Sequence, residues 1–253
     1  MALSRRFIPS LFTVLNAFCG FMSLVHSSHG DFDNAALFII YASLFDAVDG
    51  IAARLTNSAS RFGVELDSLS DVISFGAAPS FLIYNIYLHQ LSEIGMVISS
   101  LILVFAALRL ARFNVQLTGF DKSKFSGLPA PMSAFTVCSF VLFYYDKILS
   151  HEHSVTVLLI LAVLLPALMI SRIKYDTLPK PSMASVRKNI IPFLVLVIAA
   201  VLIIATNGEG SFSFCLFYIF SGIIRSAKNL IFRKKHHHGS DDVAEEHLET
   251  GKQ

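Results

Sequence analysis

Four aspartates lie in a stretch that is otherwise apolar enough to enter a lipid bilayer. They are Asp46, Asp49, Asp67 and Asp71, in the run DAVDGIAARLTNSASRFGVELDSLSD. A carboxylate at the centre of a spanning helix costs roughly 2.5–3.5 kcal/mol on insertion scales, and intramembrane acids are by default functional. These aspartates are therefore the first candidates for chemistry in this chain.

Helical spacing predicts that the aspartates meet as two pairs. The members of the first pair are three residues apart and those of the second are four apart, so each pair shares one helix face. Counted inward from the predicted helix ends at about 1.5 Å per residue, the carboxylates lie roughly 6 to 13 Å deep. Four carboxylates at one level repel each other unless cations intervene, and hard oxygen ligands suit Mg²⁺ or Mn²⁺. Two such ions are the usual apparatus for displacement at phosphorus.

Two alternative roles for the aspartates remain open. Arg54 and Arg61 could pair with them as a buried ion network, but two arginines do not neutralise four acids. The acids could also form the cation site of an ion-coupled transporter. That function predicts acids reachable from both membrane faces and broken or repeated helices. The sequence shows no inverted repeat, and the acids are predicted only on the inner side.

Composition indicates the class of protein that positions these residues. The chain has 253 residues, of which 54% are hydrophobic and only 15% charged. A soluble domain carries about 25% charged residues. We therefore expect an all-α, polytopic membrane helix bundle, and the net charge of +2 gives no reason to expect nucleic acid as a partner.

Eight apolar segments approach the roughly 20 residues that a spanning helix needs. They are 8–27, 34–55, 64–88, 94–113, 129–146, 154–171, 189–206 and 212–231. With a cytoplasmic N-terminus, Lys147 alone of the 20 Lys and Arg residues lies on the outer side, so both termini are predicted to be cytoplasmic. Residues 1–231 then form one membrane domain, and the polar tail 232–253 is predicted to be disordered. The segments in 189–231 carry no polar constellation and are interpreted as scaffold or dimer surface.

The spacing D-x2-D-G-x2-A-R-x8-G-x3-D-x3-D resembles the signature of the CDP-alcohol phosphotransferases at all eight fixed positions. The resemblance implies a site for two divalent metal ions, Mg²⁺ or Mn²⁺, and for the diphosphate of a CDP-linked lipid or alcohol. It implies three metal ligands, Asp46, Asp49 and Asp67. It also implies that Asp71 is both a ligand and the base that deprotonates the acceptor hydroxyl. The implied contacts to the CDP-lipid are Gly50, Arg54, Ser60 and Gly63.

Further stretches resemble one branch of this family, the membrane-integral phosphatidylserine synthases. They are PSLFTVLNAFCG (9–20), VISFGAAPS (72–80), LRLARFN (108–114), FSGLPAP (125–131) and MISRIKY (169–175). The resemblance implies transfer of the phosphatidyl group of CDP-diacylglycerol to L-serine, and a homodimer. The depth of the aspartates places the expected active site on the cytoplasmic side of the cell membrane. The alternative is the same chemistry with glycerol 3-phosphate or inositol phosphate as acceptor.

Four residues outside the signature are further candidates. Arg109 and Arg112 share one helix face, and their guanidinium groups suit the carboxylate of serine or a phosphate, although anchoring at the cytoplasmic surface is an equal alternative. Thr13 and Asn16 are three residues apart on the first helix and could hydrogen-bond the cytosine of CDP-diacylglycerol. Hydrogen bonds between helices are the equal alternative for these two side chains.

Overall fold

A computed structural model of the chain describes residues 7–56, 60–117, 127–173, 175 and 201–227. Every regular element within these residues is helical, and they contain no strand. The main helices are α1 (Phe7–Ser28), α2 (Phe32–Thr56), α3 (Arg61–Asp71), a π-helix (Val72–Ala77), α4 (Ala78–Ile86), a 3₁₀ turn (Leu88–Leu91), α5 (Ser92–Leu117), α6 (Ala130–Phe143), α7 (His151–Ile170) and α8 (Gly210–Ala227). The all-α prediction is confirmed for this part of the chain.

Within the described residues, six helical stretches are long and apolar enough to cross a membrane. They are Ser10–Ser28, Phe32–Ala52, Arg61–Ile86, Leu88–Val115, His151–Ile170 and Gly210–Ala227. The fifth predicted segment, 129–146, forms the shorter apolar helix α6, with 14 residues. Most of segment 189–206 and the tail 232–253 lie outside the described residues, so the count of eight and the tail's disorder stay predictions.

The predicted single segment 64–88 is interrupted directly after Asp71. Six residues, Val72–Ala77, form a π-helix between α3 and α4. Short π-helical turns are uncommon and occur often at functional sites. The insertion changes the register between Asp71 and the apolar residues of α4, a change that hydrophobic periodicity alone does not reveal.

A glycine brings α1 onto this π-helix. A Cβ at Gly20 would lie 2.4 Å from Oγ and 2.9 Å from Cα of Ser74. The Ser74 hydroxyl donates a hydrogen bond of 2.9 Å to the carbonyl of Asn16 on α1. Small residues allow close backbone approach in this way where helices pack in membranes. The contact therefore fixes α1 against the helix that carries Asp71.

The core lies among α2, the π-helix, α4, α5, α6 and α7. Its largest buried side chains, each less than 2% exposed, include Ile39, Phe75, Leu82, Ile102, Phe140 and Leu158. At the end of the bundle away from the aspartates, Lys147 donates to Asp33 at 2.7 Å and ties the loop after α6 to the start of α2. An exposed pair of this kind contributes about 0–1 kcal/mol, so apolar packing holds the bundle together.

Gly127 lies in the turn before α6, at a position where a substitution is expected to lower stability strongly. This residue has φ +96, and a Cβ would lie 2.0 Å from the carbonyl oxygen of Met169. Its N–H also donates to the carbonyl of Ile173 at 2.8 Å, which joins the turn before α6 to the segment after α7. We expect Gly127→Ala to destabilise the protein by at least about 1–3 kcal/mol, because backbone strain and a clash with main-chain atoms add together.

Thermal unfolding of the purified protein in detergent measures this effect, and Gly30→Ala is its matched control. Gly30 has a similar φ of +77, but nothing lies within 4 Å of its added Cβ. Gly30→Ala should therefore show the backbone strain without the clash, with a clearly smaller loss of melting temperature. Equal losses in the two variants would contradict the assignment of a packing role to Gly127.

Candidate active site

Three of the four aspartates converge between α2 and α3. Ligand oxygens of Asp46, Asp67 and Asp71 all lie within 4.8 Å of one another. Asp71 is 8% exposed, and the other two are partly buried. Three carboxylates so close together repel each other strongly, and an all-oxygen ligand set is typical of hard divalent cations. The group can therefore hold a metal ion.

The fourth aspartate has a different environment. Asp49 is buried, and its carboxylate accepts a hydrogen bond from the Thr13 hydroxyl of α1. It lies within electrostatic range of Asp46 and Asp67 but is not a member of the three-carboxylate group. The structure thus brings all four predicted aspartates to one region and ties one of them to α1.

Asn16 of α1 contacts Asp71 directly. Its amide nitrogen donates to Oδ1 of Asp71 at 3.2 Å, and the side chain is fully buried. An ionised carboxylate only accepts hydrogen bonds, so the amide nitrogen must face it, and Oδ1 of Asn16 then has no partner among the described residues. Thr13 and Asn16 therefore form the interhelical hydrogen bonds that the sequence left open for them, each to one aspartate.

Two of the residues that the resemblance implies contact the CDP-lipid, Ser60 and Gly63, form the start of α3. Ser60 caps this helix by accepting a hydrogen bond of 3.0 Å from the N–H of Gly63. A Cβ at Gly63 would lie 3.2 Å from the Ser60 oxygen, so the glycine keeps this cap compact. Gly50 is exposed beside Asp49. The side chain of Arg54 lies outside the described residues.

The structure separates the two arginines that were predicted together. Arg109 is partly buried and lies within electrostatic range of Asp71. Arg112, one turn further along α5, is exposed. Asn114 donates to the Ser68 hydroxyl at 2.9 Å and joins the last turns of α5 to α3. Of the two arginines, Arg109 therefore faces the aspartate that is predicted to be the base.

Two tyrosines to which the sequence assigned no role are linked to Arg109. Tyr175 is the last residue of the MISRIKY stretch, and Tyr218 lies outside every quoted stretch. Tyr218 of α8 lies within electrostatic range of Arg109. Tyr175, which follows α7, stacks on Tyr218 with ring centroids 5.6 Å apart. The structure thus gives α8 a place near Arg109 in addition to any scaffold role. For Tyr218, the signal in the sequence was its place in an apolar helix, four positions before Gly222. A tyrosine has a polar hydroxyl that needs a partner when it is buried.

These features define a multi-pass membrane protein with a cluster of acids at one end of its helix bundle. The model of the CDP-alcohol phosphatidyltransferase family matches residues 6–169, and the chain belongs to that family. It is 36% identical to the CDP-diacylglycerol–serine O-phosphatidyltransferase of Helicobacter pylori over 217 residues, which are 86% of this chain and 90% of the relative.

Two further relatives come from other lineages. The chain is 40% identical to the archaetidylserine synthase of Methanothermobacter thermautotrophicus over 170 residues, 66% of this chain and 69% of the relative. It is 34% identical to the CDP-diacylglycerol–serine O-phosphatidyltransferase of Bacillus subtilis over 175 residues, 69% of this chain and 92% of the relative. The names of these relatives differ in the lipid and agree on serine.

Proposed function

We propose that this protein transfers the phosphatidyl group of CDP-diacylglycerol to the hydroxyl of L-serine and releases CMP. The observation that carries the proposal is the convergence of Asp46, Asp67 and Asp71 within the signature of the family. Serine is supported as the acceptor by the shared element in the names of the relatives, which span most of this chain. The class of reaction follows from family membership, and the acceptor is the finer part of the proposal.

The four aspartates are suited to hold two divalent cations, Mg²⁺ or Mn²⁺. Carboxylate oxygens are the ligands that these ions prefer. When bound, the ions supply positive charge that neutralises the diphosphate and stabilises the departing CMP. Asp49 takes part in this set while the Thr13 hydroxyl orients its carboxylate.

Asp71 acts as the general base in the proposed reaction. The serine hydroxyl oxygen forms a bond to the phosphorus of the phosphatidyl group, and the bond from this phosphorus to the CMP oxygen breaks. CMP leaves with the bonding electron pair, and the serine proton passes to the Asp71 carboxylate. No covalent lipid–enzyme intermediate is required. Asn16 holds Oδ1 of Asp71, so the other carboxylate oxygen can face the substrate.

The start of α3 is proposed to hold the CDP part of the donor. Ser60 and Gly63 at this helix start, together with Gly50 and Arg54 at the end of α2, are proposed to serve this purpose. The N–H groups at a helix N-terminus favour negative charge, which suits a diphosphate near Ser60. Arg109 and Arg112 are proposed to bind the acceptor or a phosphate. For Thr13 and Asn16, their hydrogen bonds to aspartates favour an orienting role over contact with cytosine.

We further propose that residues 1–231 form one membrane domain, with 232–253 as a cytoplasmic tail. The active site then opens on the cytoplasmic side of the cell membrane, where CDP-diacylglycerol enters from the bilayer and serine and CMP exchange with water. The distribution of Lys and Arg supports this orientation, because Lys147 lies at the end opposite the aspartates and pairs there with Asp33. A homodimer is proposed from the family resemblance.

CMP release by the purified protein tests the proposed function. The protein in detergent is incubated with CDP-diacylglycerol, Mn²⁺ and one acceptor at a time. We expect CMP with L-serine and none above background with glycerol 3-phosphate or inositol phosphate, because those acceptors bring a phosphate and need a denser basic pocket. Removal of divalent ions with a chelator should stop the reaction, and added Mn²⁺ or Mg²⁺ should restore it.

If CMP is released only with another acceptor, that acceptor takes the place of serine in the proposed reaction. Ion flux into vesicles that depends on divalent metal, without any CMP, would support the transporter instead.

A further inference from the structure

Tyr175 has a buried hydroxyl that makes no hydrogen bond within the described part of the chain. The residue is 8% exposed, and its Oη atom has no hydrogen-bond partner among the residues that the structure describes. A buried polar group left unsatisfied costs roughly 1–3 kcal/mol. Native structures retain few such groups, and each calls for a cause such as a ligand, an ion or a water. The hydroxyl therefore marks a position at which a polar group of a ligand is expected.

The aromatic ring of Tyr175 is held firmly by α8. A Cβ at Gly222 would lie 2.3 Å from Cε1 of Tyr175, so only a glycine lets the ring lie against the helix backbone. The ring also stacks on Tyr218 with an interplanar angle of 27°. Burial, with a smaller contribution from Tyr218, raises the pKa of Tyr175 to about 12. The hydroxyl is therefore a fixed, protonated donor at neutral pH.

Tyr218 connects this hydroxyl with the reacting groups. It is stacked on Tyr175 and lies within electrostatic range of Arg109, which in turn is within range of Asp71. A guanidinium group thus lies within electrostatic range of Asp71, and the phenol donor of Tyr175 lies one stacked ring further away. Such donors suit an anionic group bound next to the base.

We propose that the Tyr175 hydroxyl and the Arg109 guanidinium together bind the carboxylate of the acceptor amino acid. The inference rests on the proposed function, because it takes L-serine as the acceptor. In serine a single carbon atom separates the carboxylate from the carbon that bears the hydroxyl. An acceptor whose hydroxyl contacts Asp71 therefore has its carboxylate near Arg109. Tyr175 is then a specificity-determining residue, which favours an acceptor with a carboxylate.

Tyr175→Phe tests this subsite with little risk to the fold. The substitution removes the hydroxyl and keeps the ring that packs on Gly222 and Tyr218. We expect the KM for L-serine to rise by roughly tenfold or more, since a hydrogen bond to a charged group contributes about 1.5–3 kcal/mol. The kcat at saturating serine and the KM for CDP-diacylglycerol should stay within about twofold. The measurement is CMP release, with each substrate varied in turn.

Tyr145→Phe is the matched control. Tyr145 is also partly buried, but it lies at the opposite end of the bundle beside Phe140 and His151. It should leave both KM values unchanged.

Three results for Tyr175→Phe would overturn the inference. A higher KM for CDP-diacylglycerol alone would assign the hydroxyl to the diphosphate, the other anion at this site. An unchanged serine KM would show that the hydroxyl does not bind the acceptor. A fall in kcat together with the melting temperature, at unchanged KM, would show a structural role. The proposed function fails separately, if the wild-type protein releases no CMP with serine, and the inference then falls with it.

Discussion

Asp71→Asn is expected to lower kcat for CMP release by about 10²–10⁴-fold, the usual contribution of a general base. The amide has the size of the carboxyl group, and its oxygen can still accept the hydrogen bond from Asn16, so the contact between α1 and α3 is retained. What the variant lacks is a side chain that can take the serine proton. Folding and affinity for CDP-diacylglycerol should be largely retained.

The assay must separate the loss of the base from a weakened metal site. CMP release is therefore measured across a titration of Mn²⁺, alongside the melting temperature and the dissociation constant for CDP-diacylglycerol. Asp33→Asn is the matched control, because Asp33 is exposed at the far end of the bundle and pairs with Lys147. It should keep turnover within about twofold, since exposed ion pairs contribute about 0–1 kcal/mol.

Two results would contradict the role given to Asp71. Unchanged turnover in Asp71→Asn would show that another group accepts the proton. Full recovery of turnover at high Mn²⁺ would leave Asp71 as a metal ligand only.

Asn16→Leu is expected to lower kcat by about 10–100-fold, because a hydrogen bond to a charged group contributes about 1.5–3 kcal/mol. Leucine fills a similar volume on α1 but gives Asp71 no donor. The carboxylate then loses the contact that orients it toward the acceptor. The KM values for both substrates should change less than kcat, because the affected group acts in the transition state.

Ser23→Ala is the control for Asn16→Leu. Ser23 lies two helical turns further along the same face of α1 and is also fully buried. Its hydroxyl also has no partner in the part of the chain that the structure describes. It should leave kcat unchanged, because it lies away from Asp71 along the helix. If Asn16→Leu instead raises the KM for CDP-diacylglycerol and leaves kcat unchanged, Asn16 binds the cytosine of the donor rather than orienting Asp71.

The aspartate cluster was predictable because its information is local. Spacings of three and four residues place side chains on one helix face, and a short polar loop makes two helices antiparallel neighbours. The sequence therefore predicted that Asp46, Asp67 and Asp71 meet, and the structure confirms that they do. The hydrogen bond of Asp49 to Thr13 depends on how α1 rotates about its axis, which a weakly amphipathic membrane helix does not reveal.

The π-helix and the position of Tyr218 could not be predicted from the sequence, because both involve contacts between residues that are far apart along the chain. The π-helix after Asp71 packs at Ser74 against Gly20 of α1, and these two residues are more than 50 positions apart. Tyr218 is more than 100 positions from Arg109, and no local period links them. In an apolar sequence every helix face is hydrophobic, so periodicity cannot indicate which face turns inward.

The α1 helix alone separates the aspartates Asp49 and Asp71 from whatever surrounds the bundle on this side. Its inner face carries Thr13 and Asn16, whereas Leu11, Val14, Phe18 and Phe21 on its outer face are each more than 50% exposed. Whatever covers that outer face, acyl chains or another protein, is separated from the carboxylates by one helix diameter, about 10 Å. Tilting or sliding of α1 in response to bilayer thickness would therefore be transmitted mechanically to Asp49 and Asp71.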